Sequence, residues 1–252
     1  MNALYDWLLA SAAGTDAAPL RSVQLGLSWT LAEVAGGLGF AFSPRQVPRT
    51  LPWAGTLAGR PAGELAAWLA SWQPAEAAVG LAVLNAQLAA AGPACRAAAT
   101  PLHGGAPGHL RVFEHFRPRL DGRRVAVVGH YPGLERLWAD LPYQCLERQP
   151  QDGDLPDSAA EFVLPQADWV FVTASSLANH TLPRLLELSR RARVVLMGPS
   201  LPWLAGWREF GVDYLAGVRV RDAAAARQVV AEGGGTRLFA EAVEYAVLEL
   251  GR

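Results

Sequence analysis

The stretch Asp168-Trp-Val-Phe-Val-Thr-Ala-Ser-Ser-Leu-Ala-Asn-His-Thr-Leu182 decides how this chain is read. An apolar run rich in β-formers ends at Thr173, and a cluster of hydroxyls, one amide and one imidazole follows. A short continuous apolar run of this kind reads as a buried parallel strand. A helical pattern then runs from Pro183 to about Arg190. Open parallel sheets bind ligands outside the carboxyl ends of their strands. Thr173, Ser175, Ser176, Asn179, His180 and Thr181 are therefore expected at the mouth of a site.

The same rhythm repeats on either side. Arg124-Val-Ala-Val-Val-Gly129, Gln144–Glu147, Val194–Met197 and Val212–Leu215 are further strand candidates. Helical patterns at Leu134–Ala139, Leu182–Arg190 and Trp203–Phe210 lie between several of them, and Leu110–Phe116 forms a short helix ahead of the series. Strands alternating with helices imply right-handed crossovers and a parallel sheet. Thr236–Leu250 reads as a helix, with a strand left open by its valines and aromatics.

Upstream the pattern differs. Residues 2–12 look helical, and Val23–Leu31 and Leu38–Phe42 read as two strands joined by a glycine-bearing turn. Ser43–Thr56 holds three prolines and reads as a loop. From Pro61, Leu65, Trp68, Leu69 and Trp72 fall at the spacing of one buried helix face. A second helix, Ala75–Ala91, is apolar nearly all round and carries Asn85. Ala91–Gly108, with three prolines and four glycines, is the best boundary. The reading is α/β: a small α+β domain over residues 1–100, then a parallel-sheet α/β domain over 101–252.

Composition narrows the function. In 252 residues, 51% are hydrophobic and 18% charged, which allows a sizeable core. A net charge of −1 without a Lys/Arg block argues against a nucleic-acid binder. No charge-free window of about 18 apolar residues appears, so no membrane-spanning helix is expected. Met1–Ala13 lacks a basic flank, so no signal peptide is expected either. Cys95 and Cys145 cannot form a disulfide framework and lack CxxC spacing, which makes the cytoplasm the default compartment.

Three loops carry candidate chemistry. Gly129-His-Tyr-Pro-Gly133 follows the first strand of the second part, and a glycine there lets backbone amides approach an anion. Only GxxxG is present, not the dinucleotide fingerprint, although Glu147 stands about where an acidic residue would bind a ribose. In Gly198-Pro-Ser-Leu-Pro-Trp203, Ser200 either caps the next helix or meets a ligand, and Thr181 has the same two readings. Of five histidines, His109 and His115 fall on different helix faces and read as surface residues. His130 and His180 sit in strand-end loops, and His103 could reach over from the linker. There is no GxSxG elbow and no P-loop. Asp152-Gly-Asp154 with Asp157 reads as a polar surface turn, and the nine tryptophans read mainly as packing residues.

The chain resembles the heavy-metal-chelation proteins, which join an enolase N-terminal-like domain to a Rossmann-like domain. The resemblance rests on Val79-Gly-Leu-Ala-Val-Leu-Asn85-Ala, Val125-Ala-Val-Val-Gly-His-Tyr-Pro132, Glu147, Leu164-Pro-Gln-Ala-Asp168, Thr173–Leu182 and Gly198-Pro-Ser200. It spans about residues 20 to 235 and is specific as a set. Ala174-Ser-Ser stands where members often carry Gly-Thr-Thr, and His180 where a small residue is common. The resemblance implies a site at the junction of two domains.

The ligand contacts expected there are Asn85, Gly129, His130, Tyr131, Pro132, Glu147, Thr173, Ser175, Ser176, Asn179, Thr181, Gly198, Pro199 and Ser200. Metal-ligand candidates are His103, His130 and His180. The leading expectation is a metal ion or a metal-containing or anionic small ligand in a cleft between the domains. Hydroxyls and amides favour an oxygen-rich ligand over a thiophilic one. The alternative is an enzyme or binder using a nucleotide or S-adenosylmethionine-type cofactor at Gly129 and Glu147. A third reading is an assembly module with a vestigial cleft. No catalytic base is nominated, and self-association is left open.

Overall fold

The computed structural model describes residues 3–14 and 18–251. It opens with helix α1 (Ala3–Ala10); residues 1, 2, 15–17 and 252 lie outside the description, including the first residue of the expected 2–12 helix. Strands β1 (Ser22–Leu25), β2 (Trp29–Val34) and β3 (Gly37–Phe42) form an antiparallel sheet in that order. The sequence suggested two strands. Val23–Leu31 instead reverses at Gly26, whose N–H donates to Trp29 O at 3.0 Å, and hydrophobic alternation carries no mark of such a turn.

Helix α2 (Ala62–Ala66) continues as a 3-10 turn to Ala70. Leu65 and Leu69 are buried as their spacing predicts, but the helix stops short of Trp72, which is 83% exposed. Helix α3 (Pro74–Ala91) lies across the small sheet. It is long and apolar enough to cross a membrane by length and composition, yet 72% of it is buried inside the protein. Backbone meets backbone at this contact. A Cβ on Gly39 would stand 2.2 Å from both Ala82 O and Ala86 N.

The second part holds α4 (Ala94–Ala98), β4 (Thr100–Pro101), α5 (Arg111–Phe116), β5 (Val125–Val128), α6 (Leu134–Leu137), β6 (Tyr143–Glu147) and β7 (Leu155–Pro156). It continues with α7 (Ala160–Val163), β8 (Trp169–Thr173), α8 (Leu182–Leu188), β9 (Arg193–Met197), β10 (Tyr214–Val220), α9 (Ala223–Ala231), α10 (Leu238–Glu241) and β11 (Val243–Glu249). The eight strands order as β4-β11-β10-β9-β8-β5-β6-β7. Neighbours from β10 to β7 are parallel, whereas β11 runs antiparallel to β10 and β4. The C-terminal segment expected to be helical is thus mostly strand. Its Val-Glu-Tyr-Ala-Val alternation suits the last long strand of a sheet better than a helix face. The expected Trp203–Phe210 helix is a 3-10 turn over Ala205–Phe210, and α9, capped by the Asp222 carboxylate, had no counterpart in the sequence reading.

The central strands are buried on both faces, which is why they read as unbroken apolar runs. Ala126, Val170, Val172, Val194 and Leu196 point to one core, shared with Leu4, Leu8 and helix α3. Val125, Val127, Phe171, Val195 and Met197 point to the other, with Phe113, Phe116 and Trp138. The small sheet contributes to both cores, through Ala32 and Val34 on one side and Trp29, Leu31 and Phe40 on the other. At the bottom of the sheet, Asp168 receives the Arg124 backbone N–H at 2.8 Å and its guanidinium at 2.9 Å, fixing the start of β8 against the start of β5.

Candidate functional site

From β5 the chain moves outward to β6 and β7, then returns to β8 and continues the other way. The reversal leaves a switch point between β5 and β8, the place where open sheets carry ligands. Gly129 and Thr173 meet there: a Cβ on Gly129 would stand 3.2 Å from Thr173 Cγ2. Gly129 has φ +104°, a conformation that glycine tolerates best, so the chain can turn sharply past Thr173. Register places Gly198, after β9, at the same edge.

The polar side chains that follow β8 bind one another and the local backbone. Thr173 Oγ1 lies 2.9 Å from Ser175 Oγ, and Ser176 Oγ donates to Thr173 O at 2.6 Å. Asn179 Oδ1 accepts from both Thr181 N–H and Thr181 Oγ1. Thr181 occupies the N-cap position of α8 without a side-chain cap bond. His180 adopts φ +62° and donates from Nε2 to Ser71 O at 2.9 Å, with its ring against Trp72 and Tyr5. Ser200 caps no helix; its Oγ accepts the Phe42 backbone N–H at 2.9 Å, and Asn85 Nδ2 bridges Phe40 O and Ser200 O. Asn85 and Ser200 thus tie the small sheet to the large one, beside Pro199 in the same wall.

On the other side of Gly129 three metal-ligating groups converge. His130 Nδ1 lies 3.0 Å from Asp154 Oδ2, and one donor atom each from His130, Cys145 and Asp154 falls within 4.8 Å of the others. Parallel pairing of β5 with β6 sets Cys145 opposite Val127, so its thiol reaches the loop leaving β5 and donates to Gly129 O at 3.6 Å. Asp154 belongs to the acidic turn expected to be solvated. Asp152 and Asp157 are exposed, but Asp154 turns inward with only 5% of its side chain exposed, because Gln151 N–H and His130 both donate to it. Glu147 buttresses the loop, accepting the backbone N–H of His130 at 3.0 Å and of Gln149 at 3.1 Å.

The electrostatics follow from this packing. Burial first, then the hydrogen bond and charge of Asp154, pushes the Cys145 thiol well above its ordinary range. Burial would raise the Asp154 carboxyl too. The Cys145 thiol beside it, the hydrogen bond from Gln151 N–H, and His130 outweigh that and hold it low. Burial raises the Tyr131 phenol, opposed in part by its contact with Thr173, and Pro132 O accepts from His109 Nε2 at 2.9 Å. Among the described residues this is the group of three potential metal ligands, and neither His103, which is exposed, nor His180 belongs to it. Cys145 and Asp154 escaped the sequence reading because their spacing from His130 matches no local ligand motif. A thiol in a strand beside a loop histidine is the only signal they leave.

Solved structures share this architecture. A protein of unknown function of the DUF364 family from Desulfitobacterium hafniense aligns over 98% of this chain and 97% of its own, with TM-score 0.84 and 29% identity. Another from Pyrococcus horikoshii covers 98% and 99%, with TM-score 0.78 and 21% identity, and shows the shared fold. An uncharacterized protein from Methanocaldococcus jannaschii is 32% identical over 114 residues, which are 41% of this chain and 43% of that protein. Residues 5–88 match the DUF4213 family and residues 111–249 the DUF364 family, each described as "Putative heavy-metal chelation". With more than half of its length in the latter match, the chain belongs to the DUF364 family.

Proposed function

We propose that this protein binds a divalent heavy-metal ion through His130, Cys145 and Asp154, with a further coordination position open to water or an exchangeable ligand. The observation that carries the reading is the approach of imidazole, thiol and carboxylate donors to within 4.8 Å. Zinc-type ions accept this donor set, with three protein ligands and one open position. A thiolate with an imidazole also suits softer relatives of zinc. The expectation of an oxygen-rich ligand gives way here, because the hydroxyls of Thr173, Ser175, Ser176 and Thr181 are engaged with neighbours. In this proposal they shape the loop beside Gly129, and Glu147 holds the His130 backbone as a supporting group.

Equilibrium dialysis against zinc, cadmium, cobalt and nickel tests the proposal. One ion per chain is expected, with thiolate-to-metal charge-transfer absorption for cobalt. Cys145→Ser and His130→Ala should each weaken binding at least tenfold, in the range that perturbing a metal's ligand shell brings. Unchanged stoichiometry and affinity in both variants would refute the assignment. The nucleotide-type alternative has less support. Helix α6 after the glycine loop is a single turn, and both Glu147 oxygens already accept backbone N–H groups.

A further inference from the structure

A second feature lies where the small sheet, the end of α3 and strand β10 meet. A cleft of about 660 Å³ opens there, lined by Arg21, Arg96, Arg219 and Arg227, with Glu33 the one carboxylate among the described lining residues. Its volume falls within the range of small-molecule sites. Glu33 is already engaged: Arg227 binds it through two nitrogens at 3.0 Å, and Arg21 lies 4.0 Å away. Arg96 and Arg219 have no carboxylate partner among the described residues. Arg96 donates to Ala89 O, and Arg219 donates through one nitrogen to the carbonyls of Arg96, Ala97 and Ala99. Two half-buried guanidiniums therefore stand near each other, and among the described residues no carboxylate lies within ion-pair distance of either, although the register sets Glu244 opposite Arg219 across the strands. Burial and then the like charge of Arg219 lower the Arg96 pKa.

The cleft has an inner end. A pocket of about 30 Å³ shares Leu38, Ala89, Pro93, Arg96 and Val220 with it and ends at Asn85 and Trp203. Asn85 Oδ1 is buried and has no hydrogen-bond partner, although its Nδ2 has two. A buried acceptor left unpaired costs free energy and calls for a donor. The inner space is about the size of one hydroxyl, ammonium group or water molecule.

We propose that this cleft binds a small oligo-anion, a molecule bearing two or more carboxylate or phosphate groups, held by Arg96 and Arg219 and able to place a hydrogen-bond donor toward Asn85. Arg227 and Arg21 supply the outer positive field. Planar guanidiniums match carboxylate and phosphate geometry through paired hydrogen bonds. The reading is independent of the metal site, which is built from other strands.

Calorimetric titration of the intact chain at low ionic strength, with citrate and with inorganic pyrophosphate as separate probes, tests it. At least one probe should bind saturably and one-to-one, and the tighter of the two identifies carboxylate or phosphate as the favoured group. Arg96→Gln should weaken that binding about tenfold. Arg21→Gln, which removes an exposed side chain with one long ion pair, should weaken it severalfold and serves as the deciding variant if Arg96→Gln does not fold. Arg184→Gln, on the far-off α8 surface pair with Glu161, should bind as the parent does. No saturable binding of either probe, or folded Arg96→Gln and Arg21→Gln variants with parental affinity, would overturn the proposal.

Discussion

If His130, Cys145 and Asp154 hold an ion as proposed, uptake displaces a proton, and the buried Cys145 thiol is its source. Cys145 is 6% exposed, and burial followed by the Asp154 contact keeps its thiol protonated at neutral pH. Only the thiolate ligates a metal. Ligation by Cys145 therefore releases its thiol proton, one per ion. Below the thiol's pKa the logarithm of the binding constant then rises by one for each pH unit. Between pH 7.0 and 8.5 affinity for zinc or cadmium should increase about 30-fold. Competition against a chromophoric chelator across that range gives the slope. Calorimetry in buffers of different ionisation enthalpy counts the protons directly. In Cys145→Ser the slope should collapse along with the affinity. A flat pH profile for the parent chain, or release of much less than one proton per ion, would show that Cys145 is not a ligand.

Three further outcomes follow from the scaffold. The Arg124 hydrogen bonds hold the Asp168 carboxyl at about 2, below its ordinary value of 3.8, so its stabilisation is present above about pH 4 and lost as pH falls toward 2. Both partners are partly solvated, so Asp168→Asn should cost only about 1 kcal/mol at pH 7 in urea unfolding, and the difference from the parent should shrink on acidification. Asn85→Ala would leave Phe40 O and Ser200 O without their donor and should cost about 2 kcal/mol, read as a lowered denaturation midpoint. A loss of ligand binding with unchanged stability would instead mark Asn85 as a contact residue only. Gly39→Ala drives a Cβ into the backbone of α3 and should cost about 3 kcal/mol or more, while Gly55→Ala, with open space around its Cβ position but φ +78°, should cost less.

The sheet was legible in the sequence where one physical signal dominated. β5, β8 and β9 are buried on both faces, so their apolar runs needed no knowledge of what packs on them. The strand-end loops were legible for the same reason, since a polar cluster after such a run must lie at the sheet's edge. What failed to show were features decided by partners. Gly26 makes a turn that ordinary alternation disguises, and β11 looks helical until β10 is present to pair with it. The candidate metal site is the sharpest case. His130, Cys145 and Asp154 are separated by fifteen and nine residues, intervals that mean nothing along a helix or in a zinc knuckle. They become neighbours because β5 and β6 run parallel and in register, and because the turn before β7 folds Asp154 back over the pair. Asp152 and Asp157 of the acidic turn are exposed, as their local sequence implies. Asp154 differs only in having two donors waiting for it, from Gln151 and His130, and those donors exist only once the sheet is assembled. Local chemistry therefore announced the edge of the sheet, while parallel register chose which groups on that edge could share an ion.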